Sequence, residues 1–393
     1  VEQTRIHQLK EIYRRSLLDD VIPFWLRHGL DHQYGGFLTS LDRDGAVYDT
    51  DKSVWFQGRG TWMFAELYNT VERRPEWLEA ARLGYDFLTR HCFDSDGRMF
   101  FSVTREGRPL RKRRYVFSES FAVIACAEYA QATGSEAALN QAKETYRLML
   151  HYLKTPGLLP PKTIPETRQS KAHAIPMILI ATTQELRQAD SDPFYQTVID
   201  ESLHEILNHF VRRDERAVLE TVGPNGERLD SAEGRRINPG HAIESAWFVL
   251  REALYRQDQS LIPPALNMLN WSLERGWDRE YGGMLYFVDA EGKPPINLEW
   301  DMKLWWPHTE ALYALLLAHH LTGDAAYADW FEKVHDWTFA HFPDPEHGEW
   351  YGYLHRDGSV ANPAKGSLWK GPFHIPRGLL LCMQILDQMV GKR

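Results

Sequence analysis

Four polar residues interrupt otherwise apolar, helix-like stretches: Arg59 in WFQGRGTW, His241 in NPGHAIESAW, Glu310 in LWWPHTEAL and His374 in WKGPFHIPRG. Their types point to proton-transfer chemistry. Two histidines exchange protons near neutral pH. An arginine keeps its charge over the useful range and holds an oxyanion. A glutamate orients an imidazole or binds a hydroxyl. Gly240 before His241 and Pro372 before His374 mark helix starts. A helix N-terminus lowers the pKa of a nearby imidazole, so both histidines are expected in the neutral, basic form. Trp247, Trp305, Trp306 and Trp369 lie close by in sequence and are candidate walls.

An internal repeat must position these residues. Five segments read alike: YGGFLTSLDRDG (34–45), DGRMFFSVTREG (96–107), AVLETVGPNG (217–226), YGGMLYFVDAEG (281–292) and HGEWYGYLHRDG (347–358). Each is an apolar or β-branched run ending in Asp, Glu or Asn before Gly, the signal for a β-hairpin turn with positive φ. The turn glycines 45, 107, 226, 292 and 358 are spaced 62, 119, 66 and 66 apart. The double interval implies a degenerate copy near GLLPPKTIPETR (157–168), where three prolines forbid a ladder. Twelve helix-like segments, from LLDDVIPFWLRHGL to HIPRGLLLCMQILDQMV, give two per unit. The expected fold is all-α: one (α/α)6 barrel of six helical hairpins over residues 1–393, with short β-hairpins at one end. Arg59, His241, Glu310 and His374 follow turn glycines by 14, 15, 18 and 16 residues. In a closed ring that shared phase brings all four to one mouth.

Composition narrows the partners. The chain has 393 residues, 43% hydrophobic and 25% charged, which excludes a disordered chain or a coiled coil. A net charge of −9 argues against nucleic acid or an anionic membrane as the main partner. No run of apolar residues is long enough to span a bilayer. VEQTRIHQLKEIYRRSL lacks the apolar core of a signal peptide. Cys92, Cys126 and Cys382 cannot form a disulfide framework, and the last two read as buried thiols. Together these features lead us to expect a cytoplasmic protein. With 14 Trp, 17 Tyr and 18 Phe, the chain is rich in rings whose faces suit the C–H faces of sugars. HAIES, HTEAL and HEILNH are not HExxH, so no catalytic metal is expected. Neither GxGxxG after a strand nor GxxxxGK[ST] is present. Two basic stretches are candidate anion sites: RPLRKRRY (108–115), and 159–171 with Lys162, Arg168 and Lys171.

The chain resembles the N-acylglucosamine 2-epimerases, the family that includes renin-binding protein. The motifs carrying the resemblance are DTDKSVWFQGRGTW, LPPKTIPETR, EGRRINPGHAIESAWF, LEWDMKLWWPHTEAL, EWYGYLHRDG and WKGPFHIPR, spread over nearly the full length. The resemblance implies an α/α barrel, usually a homodimer, that interconverts N-acetylglucosamine and N-acetylmannosamine. It also implies ATP as an activator that is not consumed. The family's essential arginine falls on Arg59, its histidines on His241 and His374, its glutamates on Glu244 and Glu310, and its nucleotide-linked lysine on Lys162. Trp247, Trp306, Trp369 and Tyr115 join Glu244 as expected substrate contacts. The related cellobiose 2-epimerases and mannose isomerases carry a further histidine on the helix that here reads AIPMILIATTQEL. Pro176 and Met177 stand there, with His173 out of register, which favours the N-acyl sugar branch. Four alternatives stay open: aldose–ketose isomerisation, a cellobiose-type 2-epimerase, a glycoside hydrolase using Asp301, Glu310 and Glu244, and a non-catalytic binding protein.

Overall fold

The computed structural model describes residues 3–113 and 115–391. Thirteen helices are described: α1 (Gln3–Arg15), α2 (Ile22–His28), α3 (Val54–Thr70), α4 (Pro75–His91), α5 (Phe117–Thr133), α6 (Glu136–Lys154), α7 (Ala174–Ala189), α8 (Phe194–Glu205), α9 (Pro239–Arg256), α10 (Ile262–Gly276), α11 (Trp305–Thr322), α12 (Ala325–His341) and α13 (His374–Gly391). A π-helical stretch, Ser16–Val21, joins α1 to α2, which together fill one helix position of the ring.

Two kinds of helix build two rings. In α5, α9 and α11 nearly every residue is buried; in α11 the run Trp305 to Ala318 has no exposed member. Helices that are apolar all round belong inside a larger structure. The partners α4, α6, α10 and α12 bury one stripe and expose the other. Accordingly α3, α5, α7, α9, α11 and α13 form the inner ring. They pack outward on α4, α6, α8, α10, α12 and α1, in that order. The last pair joins the two ends of the chain, because α1 packs on α13 rather than on its sequence neighbour α3. Trp62 of α3 meets Phe373, next to α13, at 5.4 Å between ring centroids, which completes the inner ring. The result is the expected (α/α)6 barrel.

The hairpin end lies at the N-termini of the inner helices, where Lys52–Ser53, Lys171–Ala172, Arg236–Ile237 and Lys303–Leu304 lead directly into α3, α7, α9 and α11. The turns at Gly45, Gly107 and Gly358 close local hairpins as expected. Those at Gly226 and Gly292 do not. There, Thr221–Val222 pairs with Lys171–Ala172, and Val288–Asp289 pairs with Arg236–Ile237. Strands thus stitch one repeat to the next. Residues 155–170 hold no strand, as the prolines require.

Two further repeats hold this end together. Outer helices end in a histidine placed behind the next turn glycine. A Cβ on Gly45 would stand 2.4 Å from His28, on Gly107 2.3 Å from His91 and on Gly358 2.4 Å from His341, so only glycine fits these positive-φ corners. The second device is an aspartate clamped by a lysine and an arginine from neighbouring segments. Asp31 holds Lys52 at 2.9 Å and Arg105 at 2.9 Å, Asp278 holds Lys303 at 2.9 Å and Arg356 at 2.8 Å, and Asp344 holds Lys365 at 3.0 Å and Arg43 at 2.8 Å. Burial alone would raise Asp31, but the paired cations hold it down at about 2.

Candidate active site

A cavity of about 740 Å³ opens at the hairpin end, within the size range of small-molecule sites. Arg59, His241, Glu310 and His374 lie at or near the starts of α3, α9, α11 and α13, as the shared repeat phase requires. Arg59, His241 and His374 line the cavity directly. Glu310 lies behind that wall, 2% exposed, and is bonded to His374 and Trp247. Glu244, Trp247, Trp306 and Trp369 also line it. Tyr115 does not; it packs on Phe117 and Trp55 at the rim. The cavity continues along one stripe of α3, from Trp55 through Arg59 and Trp62 to Glu66.

Local sequence explains each placement. Asn238 caps α9, its Oδ1 accepting from His241 N at 3.2 Å, with Pro239 at the first helical position. His374 is the first residue of α13. Both imidazoles use Nδ1 on a carboxylate: His241 on Glu220 at 3.0 Å, His374 on Glu310 at 2.8 Å. That leaves Nε2 of each for the cavity. Both pack near Trp306, which is 5.1 Å from the His241 ring and 5.8 Å from the His374 ring.

The two imidazoles are not equivalent, which corrects the sequence expectation for His241. His374 is held well below the usual imidazole value by burial and by the neighbouring Arg377 charge. Burial also disfavours a charged His241, but the attached Glu220 outweighs it and raises its pKa. A helix N-terminus therefore predicts the direction at His374 but not at His241, where a full carboxylate charge dominates.

Arg59 stacks its guanidinium over Phe121 at 4.2 Å and Phe373 at 5.1 Å. Burial lowers its pKa to about 9, so it stays charged at neutral pH. Among the described residues, its Nε is buried without a hydrogen-bond partner, and its one hydrogen bond is Nη1 to Trp369 O at 3.4 Å. A half-buried guanidinium with spare donors, its Nε fully buried, is a costly arrangement unless an incoming oxygen takes them.

Arg377 and Glu220 are site residues beyond those expected from sequence. Arg377 Nη2 donates to Glu244 Oε1 at 2.6 Å and to Glu310 Oε1 at 2.7 Å. Its signal was the HxxR spacing in HIPRG, which puts it on the His374 face just as HxxE puts Glu244 beside His241. Glu220 gave no such signal, because it lies in a strand-like run of the repeat. Glu244, Glu310 and His374 bring donor atoms within 4.8 Å of one another, a spacing that would suit a cation. The Arg377 guanidinium already occupies both carboxylates, and that charge fills the role.

The chain matches a known family. The family model for N-acylglucosamine 2-epimerase (GlcNAc 2-epimerase) matches residues 35–375. The chain belongs to the N-acylglucosamine 2-epimerase family. The N-acylglucosamine 2-epimerase of Bos taurus is 41% identical over 399 residues, spanning 100% of this chain and 94% of that protein. That of Mus musculus is 41% identical over 381 residues, 95% of this chain and 91% of the relative. Among solved structures, the cellobiose 2-epimerase of Bacillus thermoamylovorans B4167 superposes with a TM-score of 0.85 at 20% identity, covering 97% of this chain and 100% of that one. That likeness carries the fold. Within the epimerase family frame, His173 stands directly before α7, fully buried, bonded to Ser245 rather than facing the cavity. Lys162 lies on the exposed 155–170 loop, paired with Glu233 at 3.1 Å.

Proposed function

We propose that this protein reversibly inverts C2 of an N-acylated hexosamine, interconverting N-acylglucosamine and N-acylmannosamine. Relatives named for that reaction align with the whole chain at 41% identity. The observation that carries the reading is the pair of imidazoles, both lining the cavity beside Trp306, each fixed through Nδ1 by its own carboxylate. In the open-chain sugar, C2 is alpha to the C1 aldehyde. One imidazole Nε2 removes the C2 proton, and the electron pair moves into the enolate. Arg59, with donors to spare, takes the developing oxyanion. The other imidazole returns a proton to the opposite face. Such a reaction needs one group free to take a proton and one ready to give it.

A glycoside hydrolase is the weaker reading. It uses two carboxyl groups flanking the bond on their own terms, one of them protonated. Here Glu244 and Glu310 share one guanidinium. In D2O, NMR of N-acetylmannosamine incubated with the protein should show loss of the C2 proton signal and growth of N-acetylglucosamine, with the mass rising only by the one deuterium taken up at C2. An unexchanged C2 proton on N-acetylmannosamine, with release of a sugar from an N-acetylmannosamine glycoside, sinks the epimerase reading.

An aldose–ketose isomerase would share the enolate but protonate C1; the same spectrum distinguishes it. ATP is proposed as an activator that is not consumed. A phosphate at Lys162 would have to displace Glu233, so no step of the chemistry is routed through it. We also propose a homodimer acting in the cytoplasm. Among the described residues no helix is long and apolar enough to cross a membrane.

A further inference from the structure

Glu220 lies outside the helices, yet it is fixed from three directions. Its carbonyl accepts from His173 N at 3.0 Å, and its amide donates to Arg236 O at 3.0 Å. Its carboxylate stands between two imidazoles: Oε2 on His241 Nδ1 at 3.0 Å, Oε1 facing His173 Nδ1 at 3.5 Å. The far nitrogen of His173, Nε2, bonds Ser245 Oγ at 3.0 Å. Among the described residues, Glu220 Oε1 and His173 Nδ1 have no other partner, so the carboxylate is committed to the two rings.

The opposite side of the cavity is built differently. Glu310 serves His374, but the same oxygen also takes Arg377 Nη2, and Oε2 takes Trp247 Nε1 at 2.8 Å. A carboxylate already matched by a guanidinium gives an imidazole little reason to hold a second proton. Among the described residues no guanidinium bonds the carboxylate of Glu220. The charged and titratable groups facing His241 are Glu220 and Arg236 before α9, Glu244 on α9 itself, and His374 across the cavity; His173 acts through Glu220.

We propose that Glu220 is a positioning residue that keeps His241 protonated on both nitrogens in the resting protein, so that His241 is the proton donor and His374 the base. This rests on the epimerase reading above. For the epimer whose C2–H faces His374, the C–H bond breaks toward His374 Nε2 and its electrons form the enolate. C2 then takes the proton held on His241 Nε2. The proton count is unchanged, with one proton moved from His241 to His374, and exchange with water resets the pair. The other epimer uses the reset in reverse.

The test is a ¹⁵N NMR titration of the ligand-free protein, with the His241 signal assigned by its loss in His241→Gln. We expect the His241 ring to titrate above the His374 ring and to keep its Nδ1 proton when it turns neutral. Glu220→Gln should lower the His241 titration by about one pH unit or more, the effect of removing a hydrogen-bonded opposite charge. The alkaline limb of the kcat/KM profile should move down by the same amount, with KM little changed. In a His241→Ala background, Glu220→Gln should cost nothing further, since it acts through that ring. A purely structural role would leave the pH profile where it is. The proposal is overturned if wild-type His241 titrates at or below His374, a result that needs no variant to fold, or if a folded Glu220→Gln leaves the His241 titration unmoved. Because the titration uses no substrate, it stands apart from the deuterium-exchange test of the epimerase reading.

Discussion

Nδ1 of His374 lies 2.8 Å from Oε1 of Glu310, an oxygen that also takes Arg377 Nη2 at 2.7 Å. The imidazole is thereby oriented by a carboxylate whose charge is already matched. Orientation without retained protonation is what a base requires, since a ring that stays charged has no lone pair to offer.

His374→Ala and His241→Ala should each lower turnover by about 100-fold or more, the usual worth of a positioned acid or base. Both rings reach the cavity wall, so circular dichroism should remain that of the folded barrel, while the buried carboxylate each ring leaves behind should lower the melting temperature. Retention of more than about a tenth of wild-type turnover by either folded variant rules out the two-base scheme.

Arg59→Lys preserves the charge and loses the planar fork. An oxyanion develops mainly in the transition state, so kcat should fall steeply with a smaller change in KM. Initial rates against substrate concentration decide the point. A change confined to KM would make Arg59 a ground-state sugar contact.

Arg377→Met keeps the stem and deletes the guanidinium. Glu244 and Glu310 then lie buried with no countercharge. Breaking a buried pair on one side costs about 3–5 kcal/mol, so the urea midpoint should drop by a corresponding amount. Glu310 is left with an unmatched charge beside His374, so the His374 titration should move up. A variant as stable as wild type would show that water reaches these carboxylates.

Much of this site was readable because a repeat fixes phase. Arg59, His241, Glu310 and His374 follow turn glycines at similar distances, and closure of the ring does the rest. The closure itself was less legible: α1 pairs with α13, a contact between chain ends that no local pattern encodes. The turns at Gly226 and Gly292 look like those that form hairpins, yet their strands pair with segments about 50 residues away, a choice made by tertiary packing. Glu220 was hidden for the same reason. It sits in the run AVLETV, where alternation explains it as a strand residue, and its role appears only when His173 and His241 come from two other segments.

Stability should fall as pH drops from about 6.5 toward 4, with two buried histidines supplying part of the slope. Burial holds His308 at about 3 and His335 at about 4. The unfolded chain binds a proton at each below its ordinary value, whereas the folded protein does not. Stability is therefore full above the unfolded value and is lost as pH falls below it. Each group contributes up to about 1.4 kcal/mol per pH unit within its window. His335→Gln should flatten the dependence, read as urea midpoints between about pH 7 and pH 4.5. An unchanged slope would mean that His335 already titrates in the folded protein.

The nucleotide proposal turns on one ion pair. Lys162 is exposed and carries Glu233 at 3.1 Å, so an anionic ligand competes with that carboxylate. Lys162→Ala should weaken ATP binding and activation while leaving a low basal rate, because His241 and His374 lie elsewhere. Glu233→Gln should act in the opposite sense, lowering the ATP concentration that gives half-activation, since the ammonium no longer has to be released. A non-hydrolysable ATP analogue should activate as ATP does, because binding need only favour the active conformation and activation is limited by the difference in affinity between states. ADP accumulating in step with product would bring in a nucleotide-consuming step. If Lys162→Ala responds to ATP like wild type, the nucleotide binds elsewhere. The basic run Arg111 to Arg114 is then the next segment to test: Lys112 there is already committed to Asp94 and Asp96, Arg113 lies over Phe101, and Arg114 falls outside the described residues.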